Sequence, residues 1–295
     1  MSGERKRVAL VIGSGSVKCA AAIGIQKALA GAGIGLDMVV GCSGGAIYAA
    51  SIAAGHQADV AAEMTARMWT REVASKRNRR ALLTMLAPRL FGFRAETFGM
   101  RDDALVMQRL RDAFGTTRIE DMPIQLHITA TDFSNGEQVT LSSGSVVDAV
   151  RASIAMPFAF APVRLGGKLL TDGYLSDPMP VGVAVRQGAD VIIAAGFEAQ
   201  NQTSITSASR FAFQLNTIMS NNLLKTNFAF HSLAHHGEVI AIIPEFGERV
   251  RLFDSDKIPY VIEVGERAAE AQLPYLRQLL ATAPAPAPAP ATATT

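Results

Sequence analysis

The sequence predicts an α/β domain built on a mostly parallel sheet that helices cover. Two short apolar segments near the start, Val8–Ile12 and Met38–Val40, each run into a glycine-rich turn and then into a helical pattern. This strand, helix, strand, helix order is typical of a parallel sheet. The chain has 295 residues, 49% of them hydrophobic, so it can build a large core. We expect one domain over residues 1–280, with no internal repeat and no linker to a second domain.

Later elements follow from apolar periodicity and turn chemistry. Asn135-Gly136 and Gly166-Gly167 are typical hairpin turns. Ser145 is a plausible helix cap. In chain order we expect a helix at 104–114, strands at 124–131 and 138–141, a helix at 145–155, a hairpin around 166–167, a helix at 181–187, a strand at 190–195, a helix at 211–236, a strand at 239–243 and a helix at 258–280. Residues 281–295 are Ala/Pro-rich and then Thr-rich, which predicts an extended, disordered tail.

Composition excludes several classes of protein. The net charge of +2 gives no reason to expect a nucleic-acid partner. The two cysteines, Cys19 and Cys42, do not form a disulfide framework, which favours a reducing compartment. The first apolar run is too short for a secretory signal, and no run is long enough to span a membrane. We expect a cytoplasmic protein without cofactor or metal, because the sequence contains no spacing typical of zinc or calcium ligands.

The segment Gly41-Cys42-Ser43-Gly44-Gly45 follows the second strand and opens the next helix. A Gly-x-Ser-x-Gly sequence in this strand-turn-helix context predicts a nucleophile elbow, in which Gly41, Gly44 and Gly45 leave room for a tight turn around the serine. Ser43 would then stand at the positive end of a helix, where developing negative charge is stabilised. We expect Ser43 to be a nucleophile.

The first glycine-rich turn consists of Gly13, Ser14, Gly15, Ser16, Val17 and Lys18. A dinucleotide-binding turn would need glycine where Lys18 stands, and an acid at the end rather than the start of the second strand. A better interpretation is a row of backbone N–H donors that binds the oxyanion formed at Ser43. The alternative, a tight turn between strand and helix with no further role, stays open, although the neighbouring elbow favours the oxyanion hole.

Asp172-Gly173 ends the second strand of the hairpin around Gly166-Gly167. A desolvated carboxylate at position 172 could accept the Ser43 proton directly. Asp-Gly is also common in ordinary turns, where the aspartate only caps the backbone. Spacing alone leaves both interpretations of Asp172 open.

Residues 63–101, here called the cap segment, differ in character from the rest of the chain. Basic residues alternate with large apolar ones, and Pro88 and Gly92 interrupt the pattern. This composition suits a cap over the site, or peripheral contact with an anionic lipid surface through residues 67–94. An ordinary helical hairpin with a solvated basic face is the alternative.

Four stretches together resemble the bacterial patatin-like phospholipases: the turn ending in Lys18, Gly41–Gly45, Ala152-Ser153-Ile154-Ala155-Met156-Pro157, and Asp172-Gly173. The resemblance implies a three-layer α/β/α sandwich and hydrolysis of lipid acyl esters by a Ser43–Asp172 dyad. It implies an oxyanion hole in the first turn, with Lys18 in the place of the family's usual arginine. Ser14, Ser16, Cys19 and Tyr174 depart from the usual family pattern.

Three other functions remain open. One is a Ser-His-Asp esterase that uses Ser43, Asp172 and one of His231, His235 or His236, although only one strand precedes the elbow here. Another is acyl transfer to an alcohol or thiol, which shares the acyl-serine intermediate. The third is a lipid-binding regulatory module without catalysis. The sequence indicates neither the preferred head group and acyl chain nor the oligomeric state.

Overall fold

The computed structural model describes residues 5–86, 88–198, 205–234 and 238–281. The predicted tail at 282–295 lies outside the described residues. The strands are β1 (Val8–Ile12), β2 (Met38–Cys42), β3 (Gln125–Asp132), β4 (Gln138–Leu141), β5 (Val163–Leu165), β6 (Lys168–Asp172), β7 (Val191–Ala195) and β8 (Glu238–Ile242). The helices are α1 (Ala21–Gly31), α2 (Gly44–Ala53), α3 (Ala58–Met68), α4 (Arg79–Leu86), α5 (Pro88–Phe91), α6 (Ala104–Phe114), α7 (Val146–Ser153), α8 (Val181–Arg186), α9 (Ala208–Ala234), α10 (Ile258–Glu270) and α11 (Leu273–Ala281).

The strands form one mixed sheet with helices on both faces. Strands follow the order β5-β6-β3-β2-β1-β7-β8, and β4 pairs with β3. Every pair from β3 across to β8 is parallel, whereas β4, β5 and β6 pair antiparallel. Side chains of β1 alternate between two cores: Leu10 and Ile12 pack with α1, α2 and α10, while Ala9 and Val11 pack with α8 and α9. The predicted α/β/α sandwich is confirmed.

Strands β2 and β6 lie end to end along one edge of β3. Ile128 and Thr129 pair with both β2 and β4, whereas Ala130 and Thr131 pair with both β4 and β6. Because a strand has only two edges, β4 occupies one edge of β3, and β2 and β6 share the other. The end of β6 at Asp172 therefore meets the end of β2 at Cys42.

The cap segment crosses the edge of the sheet where β1, β2 and β7 end, here called the carboxyl edge. Helix α2 starts at this edge and finishes beside the start of β3, where Ile124 N donates to Ala53 O at 3.2 Å. Helix α3 then returns, and a Cβ added to Gly44 would lie 3.2 Å from the ring of Trp69. Trp69 therefore lies at the carboxyl edge, and the end of the cap segment stays beside α7, because Met100 N donates to Phe158 O at 2.9 Å before α6 leads back to β3.

One predicted element is wrong. The sequence pattern suggested a single helix at 258–280, but α10 ends at Glu270 and α11 begins at Leu273. Pro274 has no N–H to donate to the preceding turn, and its ring collides with the carbonyl one turn earlier. The apolar periodicity continues across this break and therefore does not reveal it.

Candidate active site

The turn between β2 and α2 holds Ser43 in a conformation that few non-glycine residues adopt. Ser43 has φ 53° and ψ −128°, and α2 begins at the next residue. Its neighbours must be small: a Cβ on Gly45 would lie 2.4 Å from Ile12 O, and one on Gly41 would lie 2.6 Å from Ala46 Cα. Such strain persists only where the surrounding structure enforces it, and it is common at functional sites. This is the geometry expected of a nucleophile elbow.

Asp172 lies next to Ser43. Ser43 Oγ donates to Asp172 Oδ2 at 2.9 Å, although the two residues are 129 positions apart in the sequence. Tyr174 N donates to the other carboxylate oxygen at 3.1 Å. Gly173 permits this close approach, because a Cβ there would lie 2.5 Å from Thr129 O. The carboxylate is thus oriented by a backbone amide on one side and faces the serine hydroxyl on the other.

Burial changes the acidity of this carboxyl group. Asp172 is only 1% exposed. Loss of solvent raises the pKa of Asp172 to about 7, while hydrogen bonds from Tyr174 N and Ser43 and the positive charge of Arg151 oppose the rise. A carboxylate with a pKa near neutrality can both accept and return a proton at physiological pH.

Ser153, at the end of α7, is a site residue whose contact the sequence did not predict. Its hydroxyl accepts a hydrogen bond from Ser43 N at 2.8 Å and donates to Thr129 O at 2.7 Å. Ser153 is fully buried. Ser153 therefore links the backbone of the elbow to β3, the strand that also pairs with β6. Ser153 belongs to the motif on which the family resemblance rests, but nothing local in the sequence indicates this contact.

The first turn lies directly against the elbow, since a Cβ on Gly44 would lie 2.8 Å from Ser16 N. Ser16 has φ 58°, a second strained non-glycine residue at the site. The amides of Gly13 and Ser14 donate to Ala195 O and Pro178 O. Within the described part of the chain, no acceptor is found for the amides of Gly15, Ser16 and Val17. These three amides are free to donate to a bound ligand in this conformation.

The Lys18 side chain points away from Ser43. Its amide donates to Gly15 O at 3.2 Å, and its Nζ donates to Glu198 O at 2.9 Å. The ammonium also lies 5.7 Å from the centre of the Phe246 ring. Burial lowers the pKa of Lys18. The side chain therefore connects the turn to the segment that follows β7.

The described histidines contact serines away from the site. His127 Nδ1 lies 2.7 Å from Ser142 Oγ, and His56 Nδ1 lies 3.3 Å from Ser51 Oγ. His231 lies in α9, but its side chain is outside what the structure describes, as are His235 and His236. The triad alternative is therefore left to experiment. Cys19 and Cys42 are both buried free thiols.

The described residues show neither a metal site nor a membrane span. Over the described ranges, no group of three or more His, Cys, Asp or Glu side chains is placed to bind a metal ion. In the same ranges, no helix combines the length and apolarity needed to cross a bilayer.

The chain is similar in sequence to proteins of one known family. A family model described as "Patatin-like phospholipase" matches residues 10–185, a range that includes Ser43 and Asp172. An uncharacterised NTE family protein of Mycobacterium tuberculosis is 32% identical over 188 residues, covering 64% of this chain and 48% of that protein. Patatin-like phospholipase domain-containing protein 7 of Mus musculus is 27% identical over 201 residues, covering 68% of this chain and 14% of that protein.

The structural comparison concerns the fold alone. The crystal structure of VipD from Legionella pneumophila aligns with a TM-score of 0.50 at 16% sequence identity, covering 92% of this chain and 67% of that one.

The chain spans about half the length of the mycobacterial relative, at 48%, and a small part of the mouse protein, at 14%.

Proposed function

The chain belongs to the patatin-like phospholipase family, and we propose that it hydrolyses acyl esters of lipids with Ser43 as nucleophile and Asp172 as general base. The observation that carries this proposal is the 2.9 Å hydrogen bond from Ser43 Oγ to Asp172 Oδ2, formed inside a strained turn. A carboxyl group whose pKa is about 7 supplies the proton acceptor without a histidine. The names of the family and of the mouse relative support a phospholipid as the substrate class.

Acylation begins when Ser43 Oγ attacks the ester carbonyl carbon and Asp172 takes the hydroxyl proton. The carbonyl oxygen becomes an oxyanion, which the free amides of Gly15, Ser16 and Val17 and the N-terminus of α2 stabilise. Collapse of the tetrahedral intermediate breaks the bond to the leaving alcohol, and protonated Asp172 returns the proton to that oxygen. Ser43 is then acylated.

Deacylation repeats these steps with water. Asp172 accepts a proton from a water molecule as its oxygen attacks the acyl carbon, and it returns the proton to Ser43 Oγ as the fatty acid leaves. The buried carboxyl can cycle between both forms because its pKa lies close to neutral pH. An alcohol in place of water would give acyl transfer, so the ratio of fatty acid to transferred ester separates these two activities.

A substrate panel tests the proposal. Short nitrophenyl esters, lysophospholipids and diacyl phospholipids are offered to the wild type, Ser43→Ala and Asp172→Asn. We expect turnover of at least one ester, and a loss of about 10²- to 10⁴-fold in each variant with the fold retained. Near-normal activity in Asp172→Asn would contradict the dyad. Loss of activity without unfolding in one of the single alanine variants at His231, His235 and His236 would favour a triad.

The chain offers a matched control. Ser134 Oγ donates to Asp132 at 2.6 Å, so it is another Ser–Asp hydrogen bond, but it lies outside the elbow. Ser134→Ala and Asp132→Asn should leave turnover within about threefold of the wild type, because neither residue contacts Ser43 or Asp172. Equal losses in both pairs would mean that the effects arise from folding and not from chemistry.

A further inference from the structure

The large apolar side chains that face solvent concentrate at the carboxyl edge, where Ser43 lies. One group is on the cap side and consists of Leu90, Phe91, Phe93 and Phe158, here called the cap group. Leu90 is 83% exposed. Ring contacts connect two members of the group: Phe98 lies 5.1 Å from Phe93 and 6.4 Å from Phe158, measured between ring centres. Exposed apolar clusters of this kind mark binding surfaces.

Helix α9 extends past the same edge. Asn227 Nδ2 donates to Asp177 Oδ1 at 2.9 Å, and Asp177 O accepts from the Cys42 thiol at the end of β2. Lys225 pairs with Glu198, which follows the end of β7. The helix has 27 residues and is about 40 Å long, whereas the five-residue strands it covers are about 16 Å long. Leu224 still packs against the sheet, so the part of α9 before Leu224 lies beyond it.

This projecting part carries an exposed apolar stripe, the α9 stripe, formed by Phe211, Leu215, Ile218 and Met219. Leu215, Ile218 and Met219 follow Phe211 by four, seven and eight residues, which places all four side chains on one face of the helix. Met219 is 69% exposed. The helix contains no Asp or Glu, and its only charged residues are Arg210 and Lys225.

The charge of the surrounding surface is positive. Residues 69–101 contain eight basic and two acidic residues, namely Arg71, Lys76, Arg77, Arg79, Arg80, Arg89, Arg94 and Arg101 against Glu72 and Glu96. Lys76 pairs with Asp102, and Glu72 pairs with Arg109. In the described part of the chain, Arg89 and Arg94 are exposed and form no ion pair.

From these placements we infer that the cap group and the α9 stripe together form the surface by which the protein sits on an anionic lipid bilayer, with Ser43 facing the membrane. Both groups lie at the edge where Ser43 lies, and exposed arginines accompany the cap group. Apolar side chains that enter the acyl boundary, together with cations that meet lipid phosphates, are what interfacial binding requires. The inference rests on the proposed lipid substrate, and it adds α9 to the surface that the sequence suggested at residues 67–94.

Binding to vesicles tests this surface separately from catalysis. Wild type is mixed with vesicles of phosphatidylcholine alone or with phosphatidylglycerol, and the bound fraction is measured by flotation at low and high salt. The test variant is Ile218→Ser with Met219→Ser. Its matched control is Val60→Ser with Tyr275→Ser, which removes two other exposed apolar side chains, both outside the carboxyl edge. Hydrolysis of a short soluble ester is measured for every protein.

We expect the wild type to bind phosphatidylglycerol vesicles more tightly than pure phosphatidylcholine, and high salt to weaken this binding. The α9 variant should lose about tenfold in affinity for each side chain removed. Replacing Arg89 and Arg94 by glutamine should lose about fivefold for each charge, on the anionic vesicles only. The control variant should bind like the wild type, and all variants should hydrolyse the soluble ester at the wild-type rate.

The inference is overturned if the α9 variant binds vesicles like the wild type, or if the wild type binds neither kind of vesicle. It is also overturned if light scattering shows a dimer that the α9 substitutions dissociate, because a second copy would then cover the stripe. Absence of ester hydrolysis in the wild type contradicts the proposed function instead, and leaves the vesicle result as a separate test of the surface.

Discussion

Replacing Asp172 by asparagine should make the protein more stable at neutral and alkaline pH while abolishing its activity. The pKa of Asp172 rises from 3.8 in the exposed group to about 7 in the folded protein, because burial disfavours the charged form. This difference of about three units, at 1.36 kcal/mol per unit, corresponds to about 4 kcal/mol of folding free energy. At neutral and alkaline pH the folded protein therefore buries a carboxylate at position 172, and a neutral side chain there would make the protein more stable.

The raised pKa fixes the sign and the pH window. A carboxyl group with a raised pKa contributes fully to stability below its unfolded pKa, near 3.8, and loses that contribution as the pH rises to about 7. Asparagine does not titrate. The stability advantage of Asp172→Asn over the wild type should therefore grow by up to about 4 kcal/mol from pH 4 to pH 8. Urea denaturation of both proteins at several pH values measures this difference.

Asp132→Asn is the control for this experiment. Asp132 is also buried, but hydrogen bonds from the Ser134 side chain and amide, and the nearby Lys168, lower its pKa. Its contribution to stability is present at high pH and is lost on acidification, so Asp132→Asn should become less stable than the wild type as the pH rises. A raised pKa at Asp172 is contradicted if Asp172→Asn shows no advantage that increases with pH, or if both variants change in the same direction.

Three further predictions concern the same site. The rate constant kcat/KM should rise with pH, with an apparent pKa of about 7 for Asp172, and a flat profile from pH 5 to pH 8 would contradict the assigned base. Ser153→Ala leaves the partly buried Ser43 N–H without its acceptor, so it should cost about 1–3 kcal/mol in urea denaturation and lower kcat more than it changes KM. An unchanged kcat would mean that Ser153 has no positioning role. Gly45→Ala places a methyl group 2.4 Å from Ile12 O and should destabilise the fold by about 3 kcal/mol, whereas Gly31→Ala meets nothing within 4 Å and should not destabilise it, as melting temperatures would show.

Elements fixed by local chemistry were predicted well from the sequence. The strand expected at Val8–Ile12 and the helix expected at Ala104–Phe114 have the same bounds in the structure. The turn around Ser43 was recognisable because a strand, a glycine-rich turn and a small-residue helix are consecutive in the chain. The family inferred from four motifs is confirmed by the match over residues 10–185.

Features that depend on long-range pairing could not be predicted in the same way. Spacing alone left Asp172 open between a base and a turn cap, because its approach to Ser43 requires β6 to share one edge of β3 with β2. The contact of Ser153 with Ser43 spans 110 residues and leaves no local pattern. The extension of α9 past the sheet likewise follows from where Asn227 meets Asp177, a contact over 50 residues.

Mapping a covalent adduct tests the central claim most directly. Wild type is treated with a fluorophosphonate, digested, and analysed by peptide mass spectrometry. We predict a single phosphonylated peptide with the adduct on Ser43, labelling that is at least about 100-fold slower in Asp172→Asn, and no adduct in Ser43→Ala. An adduct on another residue, or ester hydrolysis that persists in Ser43→Ala, would contradict the account.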